Sequence, residues 1–298
     1  MEMVRERQLS GRHVCVGLDS EQKKIPECLR KQWLTAEETV LTFNKEIVEA
    51  TARSACAFKI NIAFYSSFLG GEGALIRTTN YIHHTAPGIP VILDAKRADI
   101  GNTNIHYAQE AFKKYNADAV TVNPYFGRES LQPFLDEQDK GIFILCRTSN
   151  RGAAEFQSKK ITVTQQDEMF ALGLDPKDPT VELYKYIAML VAYAWNEKGN
   201  CALVVGATAP DELAQVRSIV GDMQLLIPGI GAQGGQLEET VLAGADNTGT
   251  GMIINSSRGI IFASEKSDFA VAAAREAEKL NCAIKASLAN RNQTSAKC

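Results

Sequence analysis

Asp94, Lys96 and Asp99, spaced two and three apart in VILDAKRADIGNT, form the densest group of chemically capable residues in the chain. On a strand, Asp94 and Lys96 point to the same face, whereas Asp99 falls where the chain has turned away. A lysine flanked by carboxylates keeps its proton, because opposite charge favours the ammonium, and it can then act as a positioned general acid. Charge runs of this kind are often only solvated clusters at a helix start. Lys59 argues against that reading. It interrupts the apolar run AFKINI at 57–62, where a charge is tolerated only if paired. Asp19, which follows HVCVGL at 13–18, and Asp94 are the carboxylates placed to pair with it.

A second constellation suits a phosphate. PGIGAQGG at 228–235 and NSSRG at 255–259 each follow an apolar run late in the chain. Barrel enzymes often bind phosphate with such a pair of loops, through backbone N–H groups and the start of a short helix. Arg258 would add bidentate charge. Gly229, Gly231 and Gly234 also match the dinucleotide fingerprint, but they lie late in the chain and after a proline, where they serve a phosphate loop equally well. His83-His84 has no third ligand in view and reads as a solvated surface pair.

The elements that must position these residues are legible as alternation. Eight short apolar, β-branched runs occur at 13–18, 57–62, 89–93, 118–123, 141–146, 201–206, 223–228 and 249–255. Their near-continuous apolarity suits strands covered on both faces. Helical patterns lie between them. Thr35-x-x-Glu38 is a capping box, and Asp178-Pro179 reads as the start of a helix through Val181, Tyr184, Ile187 and Trp195. Strict β–α alternation in eight units predicts a single (β/α)8 TIM barrel over residues 1–285, with a doubly wound open sheet as the rival. The active site then belongs at the C-terminal strand ends. The long polar connection 147–179 reads as a functional loop, and 286–298 as a flexible polar tail.

Composition narrows the setting. The chain has 298 residues, 45% of them hydrophobic, with 32 Lys+Arg against 35 Asp+Glu and a net charge of -3. No basic block marks a nucleic-acid surface, and no apolar run is long enough for a spanning helix. The seven cysteines are scattered, with no CxxC and no metal-ligand spacing, which points to a reducing cytoplasm and to no resident metal.

VGLDS at 16–20, FKIN at 58–61, LDAKRADIGNT at 93–103, PGIGAQGG at 228–235 and NSSRGI at 255–260 together resemble the orotidine 5'-phosphate decarboxylase family. NPYFG at 123–127 and RTSN at 147–150 are similar to its type 2, bacterial branch. The resemblance spans residues 12–282 and implies a (β/α)8 barrel that converts orotidine monophosphate to uridine monophosphate with neither metal nor organic cofactor. It implies that Lys96 donates the proton to C6, within a charged network completed by Lys59, Asp94 and Asp99. Asp19 and Lys59 would hold ribose hydroxyls, and Thr148 or Ser149 the pyrimidine amide. Pro228, Gln233 and Arg258 would line the phosphate end. It further implies a homodimer in which Asp99, Ile100 and Thr103 serve the neighbouring site. The rival on the same barrel is a decarboxylase or aldolase acting on a sugar phosphate, with a metal on Asp94 or a Schiff base on Lys96. A third reading is an inactive binder of phosphorylated metabolites. Two flanking aspartates disfavour the neutral amine that a Schiff base needs, and a mere binder need not keep all four charges.

Overall fold

The computed structural model describes residues 1–32, 35–230 and 235–295. Its strands are β1 (Val14–Gly17), β2 (Ala55–Asn61), β3 (Val91–Arg97), β4 (Ala119–Val122), β5 (Gly141–Arg147), β6 (Lys160–Thr162), β7 (Thr180–Glu182), β8 (Cys201–Val205), β9 (Leu225–Pro228) and β10 (Met252–Ser256). Eight of them close into a parallel barrel in the order β1-β10-β9-β8-β5-β4-β3-β2, each at one of the eight expected apolar runs. The open-sheet alternative is thereby excluded. β6 and β7 form a separate antiparallel hairpin inside the long connection after β5.

Strand register sorts the barrel interior into layers, each drawn from alternate strands. Pairings such as Gly17↔Lys59, Thr121↔Phe143, Leu145↔Val204 and Asn255↔Pro228 put Lys59, Thr121, Val204 and Asn255 in one layer. Gly17, Asp94, Leu145 and Pro228 form the layer above it. Beneath lies an apolar filling that includes Cys15, Ile92, Phe143, Leu226 and Ile253. The barrel is therefore greasy below and polar at its C-terminal mouth. The helix Glu2–Leu9 closes the other end, with Val4 against the interior filling and Gln8 Nε2 donating to Met252 O at 2.6 Å.

The helices cover the outer strand faces with the expected stripes. Helix Ala36–Thr51 carries the full capping box, with Thr35 Oγ1 accepting from Glu38 N and Glu38 accepting from Thr35 N. Its Val40, Phe43 and Ile47 are fully buried, and Phe43 stacks on Phe262 and Phe269. Among the described residues, no helix is long and apolar enough to cross a membrane.

Three expectations fail. Asp178-Pro179 does not start a helix: Val181 pairs with Ile161 in the hairpin, and the helix begins at Leu183. Val181 is buried as a strand residue, so the side chain that fitted the helical stripe has another use. The last three residues of the expected tail lie outside the described residues, but residues 286–295 are not a loose tail, since the helix Phe269–Ser295 runs through them. Ser287 is buried there, and Arg291 Nη1 donates to Asp246 O at 2.8 Å. Nor is His83 simply solvated: its Nε2 lies 2.9 Å from Asp118 Oδ2, which also accepts from Val91 N.

Candidate active site

The mouth of the barrel assembles its charges from three strand ends. β2 delivers Lys59, whose side chain is 5% exposed. Its Nζ lies 3.0 Å from Asp94 Oδ2 on β3 and 3.6 Å from Asp19 Oδ1, just beyond β1. Asp94 Oδ1 accepts from Lys96 Nζ at 2.6 Å and from Thr121 Oγ1 at 2.9 Å. One carboxylate is thus held between two ammoniums, one buried and one half-exposed.

Local backbone explains how Lys96 reaches that position. The register of β3 on β4 shifts between Leu93 and Arg97, and Lys96 adopts φ 49°, in the left-handed region. Lys96 N donates to Thr121 Oγ1 at 2.9 Å, which fastens the irregular turn to β4. Thr121 therefore ties the main chain of Lys96 and the carboxylate of Asp94 to one hydroxyl.

The electrostatics follow from this geometry. Burial pushes the Asp94 carboxyl up, but the Lys59 and Lys96 ammoniums outweigh it and bring it down to about 2. Burial lowers Lys59, yet the Asp94 and Asp19 carboxylates overcome that and leave it above its ordinary value. Asp19 Oδ1 is buried with no hydrogen-bond partner, and so is Asn255 Oδ1 on the layer shared with Lys59. Buried acceptors of this kind are costly unless a ligand or water fills them.

The structure brings Asp19, Lys59, Asp94 and Lys96 together but leaves Asp99 apart within one chain. Asp99 Oδ1 instead accepts from Ile100 N at 2.7 Å, ahead of the helix Gly101–Gln109 that carries Thr103. Ile100 is 60% exposed. Thr148 and Ser149 follow β5 on the rim. Pro228 ends β9 within the mouth, and Gln233 lies outside the described residues. Arg258 is exposed after β10, with no ion pair to any described residue. Two glycines permit close approach here. A Cβ on Gly17 would meet Ser257 Oγ at 1.9 Å, and one on Gly206 would meet Ser149 Cα at 2.7 Å.

Sequence reasoning missed the inward positions of Thr121 and Asn255, the latter read only as part of a phosphate loop, and missed Gln157, which bonds Thr148. The first two are neutral polar residues inside apolar runs, and inward register with Lys59 and Asp94 is the signal that finds them. Gln157 sits in an irregular polar stretch with no such signal.

Comparison with known proteins agrees with this geometry. The model of the Orotidine 5'-phosphate decarboxylase / HUMPS family matches residues 12–276. The chain is 49% identical over 271 residues to the orotidine 5'-phosphate decarboxylase of Janthinobacterium sp. (strain Marseille), covering 91% of this chain and 92% of the relative. It is 50% identical over 260 residues to that of Cupriavidus necator, covering 87% and 88%. Among solved structures, Leishmania donovani OMP decarboxylase superposes with a TM-score of 0.74 at 35% identity, covering 95% of this chain and 97% of that one. The charged barrel mouth and these matches agree: the chain belongs to the orotidine 5'-phosphate decarboxylase / HUMPS family.

Proposed function

We propose that this chain decarboxylates orotidine 5'-phosphate to uridine 5'-phosphate without metal or organic cofactor. The observation that carries the reading is Asp94 held between the Lys59 and Lys96 ammoniums at the barrel mouth. Loss of carbon dioxide from C6 leaves an electron pair with little resonance relief. A fixed ammonium stabilises that charge and then delivers its proton to C6, so the positive charge a metal would supply is already in place. Lys96, the half-exposed member, is the donor. Lys59, buried and paired twice, holds the network rigid and meets ribose hydroxyls together with Asp19. Schiff-base chemistry would need a free amine, and Lys96 Nζ is engaged in an ion pair at 2.6 Å.

The remaining roles fall along the rim. Ser149 reads the pyrimidine amide, because the Thr148 hydroxyl is already bonded to Asn150 and Gln157. Arg258 grips the phosphate, supported by an exposed guanidinium with no ion pair to any described residue, and Pro228 and Gln233 are assigned to the same phosphate end. Binding energy from that remote phosphate is available to stabilise the transition state. The working unit is a homodimer in which Asp99, Ile100 and Thr103 complete the neighbour's site. The exposed Ile100, Ile105, Tyr125 and Phe126 on the loops and helices after β3 and β4 support it as an apolar face beside Asp99. Six free thiols among the described residues, four of them buried, fit a cytoplasmic setting.

The test is release of carbon dioxide from orotidine 5'-phosphate by the purified protein in excess chelator. Stoichiometric uridine 5'-phosphate formation supports the reading, and activity that collapses with chelation contradicts it.

A further inference from the structure

In the turn after β5, Thr148 is held at its N–H, its hydroxyl and its carbonyl, whereas the Ser149 hydroxyl is not held. Thr148 N donates to Gln157 Oε1 at 2.8 Å, and Gln157 Nε2 donates to Thr148 Oγ1 at 2.8 Å. Thr148 Oγ1 in turn donates to Asn150 Oδ1 at 2.6 Å. Thr148 O accepts from Arg147 Nη1 at 3.0 Å, and Arg147 Nε lies 2.7 Å from Glu212 Oε2. Ser149 itself packs against Gly206 and Gly229, the first residues after β8 and β9. Its Cα and Cβ would lie 2.7 Å from a Cβ on Gly206, and its Cβ 3.2 Å from one on Gly229. Its own hydroxyl makes no hydrogen bond to any described residue.

Gln157 is itself anchored. It lies between the short helix Arg151–Glu155 and β6, in the insertion that lengthens the connection after β5. Its main-chain O accepts from Tyr184 N at 3.0 Å, and Lys159 O accepts from Leu183 N at 2.9 Å. Tyr184 is fixed in both directions, by its hydroxyl to Gln215 at 2.9 Å and by its carbonyl accepting from Cys146 Sγ. The β6–β7 hairpin leads straight into Leu183, so the insertion returns the chain to β5 at the point where Gln157 can reach Thr148.

We propose that Gln157 is a positioning residue for base recognition, and that the insertion it belongs to is the mount of the base-reading turn. This rests on the reading of Ser149 as the contact to the pyrimidine amide. A free hydroxyl can donate or accept, so it reads one base edge reproducibly only if its backbone is fixed. Gln157 supplies that fixing with a paired donor and acceptor, as one side-chain amide against an N–H and a hydroxyl. Alanine removes both bonds and leaves Thr148 N to water, which frees the turn to rotate.

The experiment measures uridine 5'-phosphate and ribose 5-phosphate binding by calorimetry for wild type, Gln157→Ala, Ser149→Ala and the double variant. Ribose 5-phosphate carries the phosphate end without a base, so general damage lowers both ligands and loss of base positioning lowers one. Gln157→Ala is expected to weaken uridine 5'-phosphate about tenfold and to leave ribose 5-phosphate within about twofold. The double variant is expected to match Ser149→Ala, since the two residues act through one contact. Gln157→Glu, which keeps the acceptor for Thr148 N, is expected to recover part of the loss. If Ser149→Ala is impaired but Gln157→Ala binds like wild type, or loses both ligands equally, the proposal is overturned. If Ser149→Ala itself binds uridine 5'-phosphate normally, the Ser149 reading fails first and the positioning role falls with it.

Discussion

Lys96 Nζ lies 2.6 Å from Asp94 Oδ1 although Lys96 occupies left-handed backbone at φ 49°. The two facts are linked. An extended residue at 96 would continue β3 away from the mouth, whereas the irregular turn held by Thr121 folds the lysine back over the carboxylate. A non-glycine residue in this region costs about 1–2 kcal/mol, and such strain persists where the surroundings impose it. Here the imposed geometry fixes the ammonium that, in the proposed function, gives its proton to C6.

That strain can be measured apart from charge. Lys96→Gly and Lys96→Ala both remove the ammonium, but only glycine relaxes the backbone. The glycine variant is expected to be more stable than the alanine variant by about 1 kcal/mol in urea denaturation. Equal stabilities would show that position 96 is unstrained.

Asp94 is the hinge of the charge network. Asp94→Asn leaves Lys59 buried with only Asp19, at 3.6 Å, to oppose it. Breaking a buried pair by removing one partner costs about 3 kcal/mol, so a stability loss of that order is expected by denaturation. The variant is also expected to lose more than about a hundredfold in kcat/KM, because Lys96 is no longer held in place. A variant of wild-type stability would refute the coupling.

Acid should separate function from stability. Asp94, lowered to about 2, contributes stability that is present above its ordinary carboxylate value and is lost only as pH falls towards 2. Lys59, raised, contributes stability that is complete below its ordinary value and is lost only in strong alkali, as pH rises through its higher folded value. The Lys59–Asp94 pair therefore stays charged across neutral pH. His13 behaves differently. Burial and Lys285 lower it to about 4, so the unfolded chain binds the extra proton first, and stability falls as pH drops from about 6.5 to about 4. Urea midpoints across that range are expected to decline for the wild type and to flatten for His13→Gln. A His13→Gln variant that keeps the same decline would assign the acid sensitivity elsewhere.

The proposed sharing of the site between subunits predicts complementation. Asp99→Ala and Lys96→Ala proteins are each expected to be inactive, and mixing them should regenerate some activity in hybrid dimers, each carrying one intact site. Absence of recovery, with subunit exchange shown by a labelled subunit, would contradict the cross-subunit role of Asp99.

Charges in apolar strands were the legible part of this protein. Lys59 and Asp94 stood out because a charge inside an apolar run demands a partner, and the eight runs themselves sufficed to close the barrel. Thr121 was silent, and Asn255 was read only as part of a phosphate loop, because a neutral side chain in a strand carries no such demand; only register reveals that they share a layer with Lys59. Val181 misled because one buried valine fits a helical stripe and a hairpin alike, and the pairing with Ile161 that decides between them is not local. The chain end misled because its polar composition says nothing of anchors such as Arg291 on Asp246 O.

The central claim is that Lys96 donates the proton to C6, and Lys96→Ala tests it most directly. Carbon dioxide release from orotidine 5'-phosphate is expected to fall by at least about ten-thousandfold, while uridine 5'-phosphate binding stays within about tenfold of wild type. Turnover by Lys96→Ala at a rate near that of wild type would contradict the account.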